Sequence, residues 1–508
     1  MELVLAENEK GSEQDAGSSF KKKAGIALGG VVILIVVIVA RSMMFSSMQV
    51  TPEPAKDPIQ AREGAVATLS EAVRLKTISY QDPGKVDRKP FEEFHALLER
   101  TYPNVHSKLE VEKINDLSLL FTWKGKDPAL APVMLMGHID VVPTDEISRA
   151  EWKHPPFSGE VADGFIWGRG TLDDKQAILG QLEAVEALLA TGYRPERTIY
   201  LAYGHDEEVG GNNGAKKIAE LLKQRGVELE VAIDEGLAIV DGIVPGTSVP
   251  VGLIGIAEKG FLTLFLEVNS TGGHSSMPPK QTAVGVLARA VARLEDNQVP
   301  ATISGPVALM FDHLGPEMNP VFRTLFANLW LFGPVIMAQL EAKNSTNATL
   351  RTTTAVTMIS GSPQDNVLPK QARAAINFRI HPRDSIDSVI AHVEKHKHDD
   401  RVKIVREGDG FGSEPSAVSS TESRGYKAIA TSVRQVWPDF VVGPSLMVGA
   451  TDSRHMEAIA KDVYRFSALI LKNEDTARIH GINERIAIED YKKSITYYGQ
   501  LIRNLGAK

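Results

Sequence analysis

The chain has 508 residues, of which 43% are hydrophobic and 24% are charged, and its formal net charge is −8. This length exceeds what one ordinary hydrophobic core holds, so we expect two or more folded domains. The modest acidic charge, with no long Lys- or Arg-rich run in the body of the chain, disfavours nucleic acid as a partner. The chain has no cysteine, which excludes disulfides and thiolate metal sites.

The first predicted element is a transmembrane helix. Residues 24–40 are uncharged, and with the residues that follow the span approaches the roughly 20 residues that a bilayer requires. Three lysines at 21–23 precede it, so the positive-inside rule makes residues 1–23 a cytoplasmic tail. We therefore predict a signal anchor over 24–45, with the rest of the chain outside the cytoplasm (periplasmic, lumenal or extracellular). The alternative is a cleaved signal peptide and a secreted protein.

Residues 46–60 contain three prolines and predict a stalk. Helical periodicity follows from about 60 to 110. Short apolar runs at Pro132–Met136, Thr198–Ala202 and Glu230–Ile233 predict buried strands, and Gln176–Leu189 predicts a helix between the first two. Strand, helix and strand at this spacing are typical of an α/β sheet with crossover helices.

The pattern changes over residues 260–405. Phe261–Val268 alternates like a strand, Thr282–Leu294 is helical, and Ala374–Ile380 predicts another strand. We interpret 260–405 as a second α+β domain inserted between the two parts of the first, which are residues 61–259 and 406–508. The apolar stretch Met310–Leu340 predicts a helical hairpin within the insertion.

Histidine and carboxylate side chains follow the predicted strands. His138 and Asp140 come after the first, Glu207 and Glu208 after the second, and Asp234 after the third. In open α/β sheets, sites form at the carboxyl ends of strands, so these side chains should meet at one edge. Zinc binds both His and Asp/Glu. The sequence therefore predicts a metal-dependent hydrolase.

A two-metal hydrolase needs a carboxylate that bridges the ions, terminal ligands for each ion and a free carboxylate as general base. Adjacent residues in a regular element cannot both point at one ion, so one of Glu207 and Glu208 can ligate while the other holds the water. His138 is a candidate terminal ligand, and Asp140 can accept its other imidazole N–H.

Five motifs in order carry a family resemblance. They are Gly-His138-Ile-Asp140, Gly-Arg-Gly-Thr-Leu-Asp173-Asp174-Lys, His205-Asp206-Glu207-Glu208-Val-Gly-Gly, Ile-Asp234-Glu235-Gly and Ile-His480-Gly-Ile-Asn-Glu484-Arg. From about residue 60 to the C-terminus the chain resembles the aminoacylase-1/carboxypeptidase S family of dizinc metallopeptidases. It is most similar to the membrane-anchored or secreted branch with carboxypeptidase S and N-fatty-acyl-amino-acid hydrolase/synthase. The resemblance implies a zinc-exopeptidase-like α/β catalytic domain with an inserted α+β lid/dimerisation domain.

The same resemblance implies roles. Two Zn2+ ions are expected, with Co2+ or Mn2+ as substitutes in vitro. Asp173 would bridge them, His138 and Asp234 would bind one ion, Glu208 and His480 would bind the other, and Glu207 would be the general base. His274 of the lid would polarise the scissile carbonyl across a homodimer. Substrate-binding residues would be Asn366 and Arg379, which suit a free carboxylate, and Arg454, which is structural or substrate-facing.

Several polar residues compete with this set or stay outside it. His455 is the alternative to His480 as the last ligand. Asp174 is left out of the ligand set because its position varies in the family. His205 is expected to support its loop, and His154 to lie in a surface turn.

The main predicted function is hydrolysis of an amide bond beside a free carboxylate, which releases C-terminal amino acids from short peptides. The first alternative is an N-acyl, including N-fatty-acyl, amino acid hydrolase/synthase, which performs the same reaction on another acyl group. The anchor and Met310–Leu340 hint at a lipophilic acyl chain. Two further alternatives are a single-metal deacylase and a catalytically inactive binding ectodomain. Asn269, Asn344 and Asn347 are glycosylation acceptors if the host glycosylates exported chains.

Overall fold

The computed structural model describes residues 28–406 and 412–508. The predicted cytoplasmic tail, residues 1–23, and the first residues of the predicted anchor lie outside the described residues. The helices are α1 (Leu28–Met44), α2 (Ala65–Arg74), α3 (Lys89–Thr101), α4 (Pro103–Lys108), α5 (Lys175–Ala190), α6 (Ala215–Gln224), α7 (Ala283–Asp296), α8 (Pro306–Leu314), α9 (Pro320–Ala327), α10 (Leu329–Glu341), α11 (Asn344–Leu350), α12 (Ile386–Lys397), α13 (Arg424–Val436) and α14 (Ile488–Gly506).

The strands are β1 (Glu110–Ile114), β2 (Ser118–Trp123), β3 (Val133–His138), β4 (Glu160–Ala162), β5 (Phe165–Trp167), β6 (Ile199–Gly204), β7 (Leu229–Asp234), β8 (Ile239–Val240), β9 (Val251–Glu258), β10 (Gly260–Asn269), β11 (Gly273–His274), β12 (Thr353–Ser360), β13 (Val367–Leu368), β14 (Gln371–Ile380), β15 (Val402–Val405), β16 (Gly412–Ser413), β17 (Val441–Met447), β18 (Ala460–Arg465), β19 (Ile470–Leu471) and β20 (Arg485–Ala487).

The larger sheet has ten strands in the order β1-β2-β6-β3-β7-β18-β9-β8-β19, with β17 beside β9. Its centre, β6-β3-β7-β18, is parallel. All six residues of β3 are buried, as expected of a parallel strand with both faces covered. The predicted α/β class of the catalytic domain is therefore confirmed.

Helices cover both faces of this sheet. On one face, α5 is buried along most of its length and packs against α14. On the other face, α6 directs Ile218 and Leu222, four residues apart, into a separate apolar cluster. The predicted helix Gln176–Leu189 corresponds to α5, which places the residues before Lys175 at a helix N-terminus beside the strand ends.

The second sheet is antiparallel, in the order β12-β14-β10-β15, with β16 also paired to β10. Residues of β10 alternate between buried and partly exposed, and their buried side chains pack against α7 and α12. The chain leaves the first sheet at Glu258 and enters the second at Gly260. Because β16 still pairs with β10, the second sheet extends beyond residue 405, where the sequence analysis placed its end.

The apolar stretch Met310–Leu340 is helical and spans the end of α8, α9 and most of α10. It packs on the edge of the catalytic sheet, because α8 lies against β17. The side chain of Leu314 comes so close to Gly443 that a Cβ there would lie 2.6 Å from Leu314 Cδ2. Although its sequence lies within the insertion, this segment packs partly with the catalytic domain.

Residues 46–60, the predicted stalk, lie along the surface of the catalytic domain. The amide of Gln49 exchanges two hydrogen bonds of 2.8 Å with the backbone of Val442 in β17. Ile59 is buried in the main core, and Arg503 of α14 donates to the carbonyls of Lys56 and Asp57. The segment that leads from α1 is therefore fixed to the body by specific contacts.

Across residues 28–406 and 412–508, no helix taken singly has the length and apolar composition needed to cross a membrane. The described part of the predicted anchor is α1, a shorter apolar helix. The consecutive helices α9 and α10, bent by 112° at their junction, meet that requirement of length and composition only as a pair.

Candidate active site

The strand order brings three of the predicted motifs to one edge of the catalytic sheet. β6, β3 and β7 are adjacent and parallel, so their carboxyl ends lie side by side. His138 is the last residue of β3, Asp234 is the last of β7, and Glu207 begins a short 3-10 turn after β6. Asp173 reaches the same edge from the residues before α5.

Asp173 lies between two imidazoles. Its Oδ1 is 2.8 Å from His138 Nε2, and its Oδ2 is 3.0 Å from His480 Nε2. His480 Nε2 is also 3.1 Å from Glu208 Oε2. One carboxylate that presents each oxygen to a different histidine has the geometry of a bridging ligand between two cations.

Two overlapping groups in the described chain could each hold a metal ion. One is His138, Asp173 and Glu235, and the other is Asp173, Glu208 and His480; within each group the ligand atoms lie within 4.8 Å of one another. Glu208 Oε1 is buried and has no hydrogen-bond partner among the described residues. Imidazole nitrogen with carboxylate oxygen is a donor set that zinc accepts. These residues therefore fit divalent cations.

The predicted ligand Asp234 and its neighbour Glu235 both lie at this edge of the sheet. The Asp234 side chain is buried, and its Oδ1 accepts a 3.0 Å hydrogen bond from the Glu235 backbone N–H. Its Oδ2 is buried and, like Glu208 Oε1, has no partner in the described part of the chain, so this oxygen also fits a cation. The next side chain along, Glu235, is the one within reach of His138 and Asp173.

Asp140 is fully buried and organises the neighbouring residues. Its carboxylate accepts hydrogen bonds of 3.1 Å from the backbone N–H groups of both Glu207 and Glu208. His138 Nδ1 lies 3.5 Å from Asp140 Oδ1 and 3.0 Å from the Asp140 carbonyl oxygen. Ser79, which the sequence analysis did not single out, donates to Asp140 Oδ2 at 2.6 Å. Asp140 thus positions the glutamate pair as well as His138.

Charged side chains lie close together in this site, and their contacts shift one another's pKa values. Burial raises the pKa of Asp173, but its hydrogen bonds with His138 and His480 outweigh burial and hold the pKa below its usual value. The hydrogen bonds to Asp173 and Glu208 raise the pKa of His480 to about 10. Metal ligands must be deprotonated, so bound cations would replace the protons that these imidazoles hold.

Glu207 lies beside the two groups and has a raised affinity for a proton. Burial raises its pKa well above the usual value, and the nearby carboxylates of Asp452 and Asp173 raise it further. The Glu207 backbone N–H is bonded to Asp140, which keeps the residue beside the candidate metal ligands. A carboxylate with a raised pKa in that position is suited to accept a proton from water.

Arg169 and Glu484 form a buried pair that joins the Asp173 loop to the His480 loop. Glu484 Oε2 accepts a charge-assisted hydrogen bond from Arg169, and Oε1 accepts the backbone N–H groups of Gly170 (2.9 Å) and Leu172 (2.8 Å). Arg169 Nη2 in turn donates to the carbonyl of Gly481 at 3.0 Å. Both residues belong to the family motifs, but the sequence analysis assigned them no role.

The substitution Glu484→Gln should lower the free energy of unfolding by about 3–5 kcal/mol, because it leaves the Arg169 charge buried without a counter-charge. Arg169 and Glu484 are 2% and 0% exposed, so solvent cannot compensate. Denaturant unfolding measures the change. The control is Asp116→Asn, which removes the exposed partner of Arg88 and should leave stability nearly unchanged. Equal effects of the two substitutions would contradict a stabilising role for the buried Arg169–Glu484 pair.

His455, the alternative last ligand, is not in either group. Its Nε2 lies 3.1 Å from the carbonyl oxygen of Gly210, and Arg454 Nη2 donates to the same oxygen at 2.8 Å. Arg454 therefore supports the loop after the glutamate pair. His205 Nδ1 contacts Ser118 Oγ at 2.7 Å, and His154 pairs with Glu160 near the surface.

The predicted lid residues lie away from the metal groups of their own chain. His274 is exposed in the two-stranded β11–β13 ribbon. Asn366, also exposed, accepts a hydrogen bond from the Ser275 N–H through its carbonyl at 3.1 Å. Arg379 is exposed on β14. No described contact joins these three residues to His138, Asp173 or His480.

Comparisons with known proteins cover most of the chain. The sequence profile of peptidase family M20/M25/M40 matches residues 134–504. The chain is 43% identical to "Probable carboxypeptidase S-like 2" of Dictyostelium discoideum over 86% of this chain and 84% of that protein. It is 36% identical to the N-fatty-acyl-amino acid synthase/hydrolase PM20D1 of Homo sapiens, over 94% and 96%. The structure is similar to the metallo-carboxypeptidase Sso-CP2 of Sulfolobus solfataricus, with a TM-score of 0.62 and 20% identity, over 88% and 100%.

Proposed function

This chain belongs to peptidase family M20/M25/M40 and is an enzyme that acts on amide bonds, and we propose that it releases an amino acid with a free carboxylate from short peptides. The observation that supports this most directly is Asp173 between His138 and His480, with Glu207 beside them. We propose that two zinc ions bind there. Asp173 would be shared between them, His138 would serve one ion with Glu235 or Asp234, and Glu208 and His480 would serve the other.

When bound, divalent cations supply Lewis-acid activation of water and of the scissile carbonyl. Glu207 accepts the proton of the attacking water and returns it to the leaving nitrogen. The backbone N–H groups of Glu207 and Glu208 bind Asp140, so the base is held at a fixed distance from Asp173. No residue in this arrangement forms a covalent intermediate with substrate.

The lid residues are proposed to recognise substrate. The Arg379 guanidinium and Asn366 suit the free carboxylate, and His274 suits the oxyanion that develops on the scissile carbonyl. Because none of them reaches the metal groups of its own chain, we propose that the lid closes or that a second copy supplies His274. The supporting observation is that all three side chains are exposed.

A second candidate substrate class is N-acyl, including N-fatty-acyl, amino acids. It is favoured by the length over which the chain matches N-fatty-acyl-amino acid synthase/hydrolases and by the apolar α9–α10 pair. The two classes share the amino acid and its carboxylate and differ only in the acyl group, so one catalytic arrangement serves both.

Substrates of graded acyl length distinguish the two classes. The experiment compares kcat/KM for dipeptides and for N-acetyl, N-octanoyl and N-oleoyl derivatives of the same amino acid. A carboxypeptidase should prefer dipeptides, whereas an N-fatty-acyl enzyme should gain with each lengthening of the chain. For every substrate, methylation of the carboxylate should strongly reduce kcat/KM, and an unchanged value would refute recognition of the free carboxylate.

We also propose that α1 belongs to a membrane anchor, with the catalytic body outside the cytoplasm. The supporting observations are the uncharged run over 24–40 and the lysines that precede it. The described part of the run, α1, is apolar and largely exposed along its length.

A further inference from the structure

An apolar surface lies where α1 meets the helices of the insertion. Nine Leu, Val and Ile residues of α1, including every residue from 31 to 37, are between 37% and 67% exposed. Seven consecutive positions cover about two turns and hence all sides of a helix. Whatever covers α1 must therefore surround it.

The α9–α10 pair continues this surface. Between Glu317 and Glu341 the only charged residue is Arg323. Val321, Trp330 and Val335 are 67%, 56% and 60% exposed, respectively, and of the residues of α10 only Ile336 is buried. Helices that are apolar on their exposed side point to a nonpolar partner.

Polar contacts join α1 to the corner between α9 and α10. Arg41 Nε donates to the carbonyl of Ala327 at 3.1 Å, and Asn328 Nδ2 donates to that of Ile38 at 3.2 Å. Arg323 donates to the carbonyls of Ser42 (3.1 Å) and Phe45 (2.7 Å). The two arginines and the amide of the corner thus hold the helices together, while Val321, Trp330 and Val335 remain exposed.

We propose that α9 and α10 lie in the interfacial layer of a lipid bilayer and form, with α1, one lipid-contacting surface. The 112° bend suits two helices that enter shallowly, about 5–10 Å deep, rather than one span. Trp330 is of the type that concentrates at membrane interfaces, and the exposed Arg41 matches a headgroup layer. A second copy of the chain would cover one face of α1, whereas lipid covers all of them.

This surface would also orient the enzyme. Gln49 is bonded to β17 soon after α1 ends, so the catalytic body cannot turn freely about a tether. Membrane contact through this surface is compatible with either substrate class. It adds a second contact to the anchor proposed above.

Single-cysteine labelling tests the proposal, since the chain has no native cysteine. The full chain is reconstituted in phosphatidylcholine/phosphatidylserine vesicles with an environment-sensitive nitrobenzoxadiazole probe on Val335→Cys or, as a second position, Val321→Cys. Val32→Cys reports on α1. The matched control is Ile147→Cys, an apolar residue that is 87% exposed on the catalytic domain.

Probes at 335, 321 and 32 should emit at a shorter wavelength than the probe at 147, and brominated lipid acyl chains should quench their emission. The emission of the probe at 147 should be quenched only by aqueous iodide. If the probes at 335 and 321 behave like that at 147, the proposal is overturned, and the probe at 32 still reports separately on the anchor. Shielding from iodide without quenching by brominated lipid would mean that a second copy covers the pair, which also overturns it.

Discussion

Glu207→Gln is expected to lower kcat by about 10²- to 10⁴-fold, the range that general-base catalysis contributes. The amide of glutamine keeps the shape of the side chain but cannot accept the proton of the attacking water. KM should change little, because Glu207 belongs to neither group of candidate ligands. Steady-state kinetics of amide hydrolysis, with metal content measured on the same preparation, give both quantities.

Two comparisons make this result specific. Glu489→Gln, a change at an exposed glutamate of α14, should leave kcat unchanged. The metal content of Glu207→Gln should equal that of the unaltered protein. A near-normal kcat would refute the general-base assignment, and loss of metal would instead place Glu207 among the ligands.

The sequence predicted the edge of the sheet at which the site forms because the relevant information is local. Val133–His138 is an apolar run that ends in a histidine, and the runs that form β6 and β7 likewise precede acidic residues. Once these strands are taken as parallel neighbours, their carboxyl ends must lie together. The observed order β6-β3-β7 supplies that adjacency.

Local sequence patterns do not decide between Asp234 and Glu235 as the ligand beside His138. Side-chain direction alternates only while a strand continues, and β7 ends at Asp234. Beyond that residue the direction of each side chain depends on the turn, and here the Asp234 carboxylate is held by the N–H of Glu235. The motif names both acidic residues, but spacing cannot choose between them.

Long-range pairs were also beyond the reach of sequence patterns. Arg169 and Glu484 are separated by more than 300 positions and are joined only when the His480 loop folds over the Asp173 loop. The contacts of Gln49 with Val442 likewise depend on the edge strand that β17 presents. Composition indicated a proline-bearing stalk at 46–60, but it carries no information about such a partner.

Removal of the metals should abolish hydrolysis, and added Zn2+ should restore it. Without cations, the carboxylates of Asp173, Glu208 and Glu235 are left close together at one edge, so the folded state should also lose stability. At a free metal concentration of about 100 Kd, bound metal adds about 2.7 kcal/mol per site to the free energy of unfolding. Chelation followed by thermal unfolding therefore provides a readout that is independent of activity.

Metal content of single variants then separates the candidate ligands. Asp173→Ala should bind fewer ions than any other ligand variant, because among the described residues only its carboxylate contacts both His138 and His480. If two ions bind as proposed, His480→Ala should lose one of them, whereas His455→Ala should retain both, because His455 contacts the Gly210 carbonyl. Hydrolysis that persists after complete metal removal would refute the metal-dependent mechanism. A single ion per unaltered chain would favour a one-metal deacylase, and in that case Asp173 would be a terminal ligand rather than a bridge.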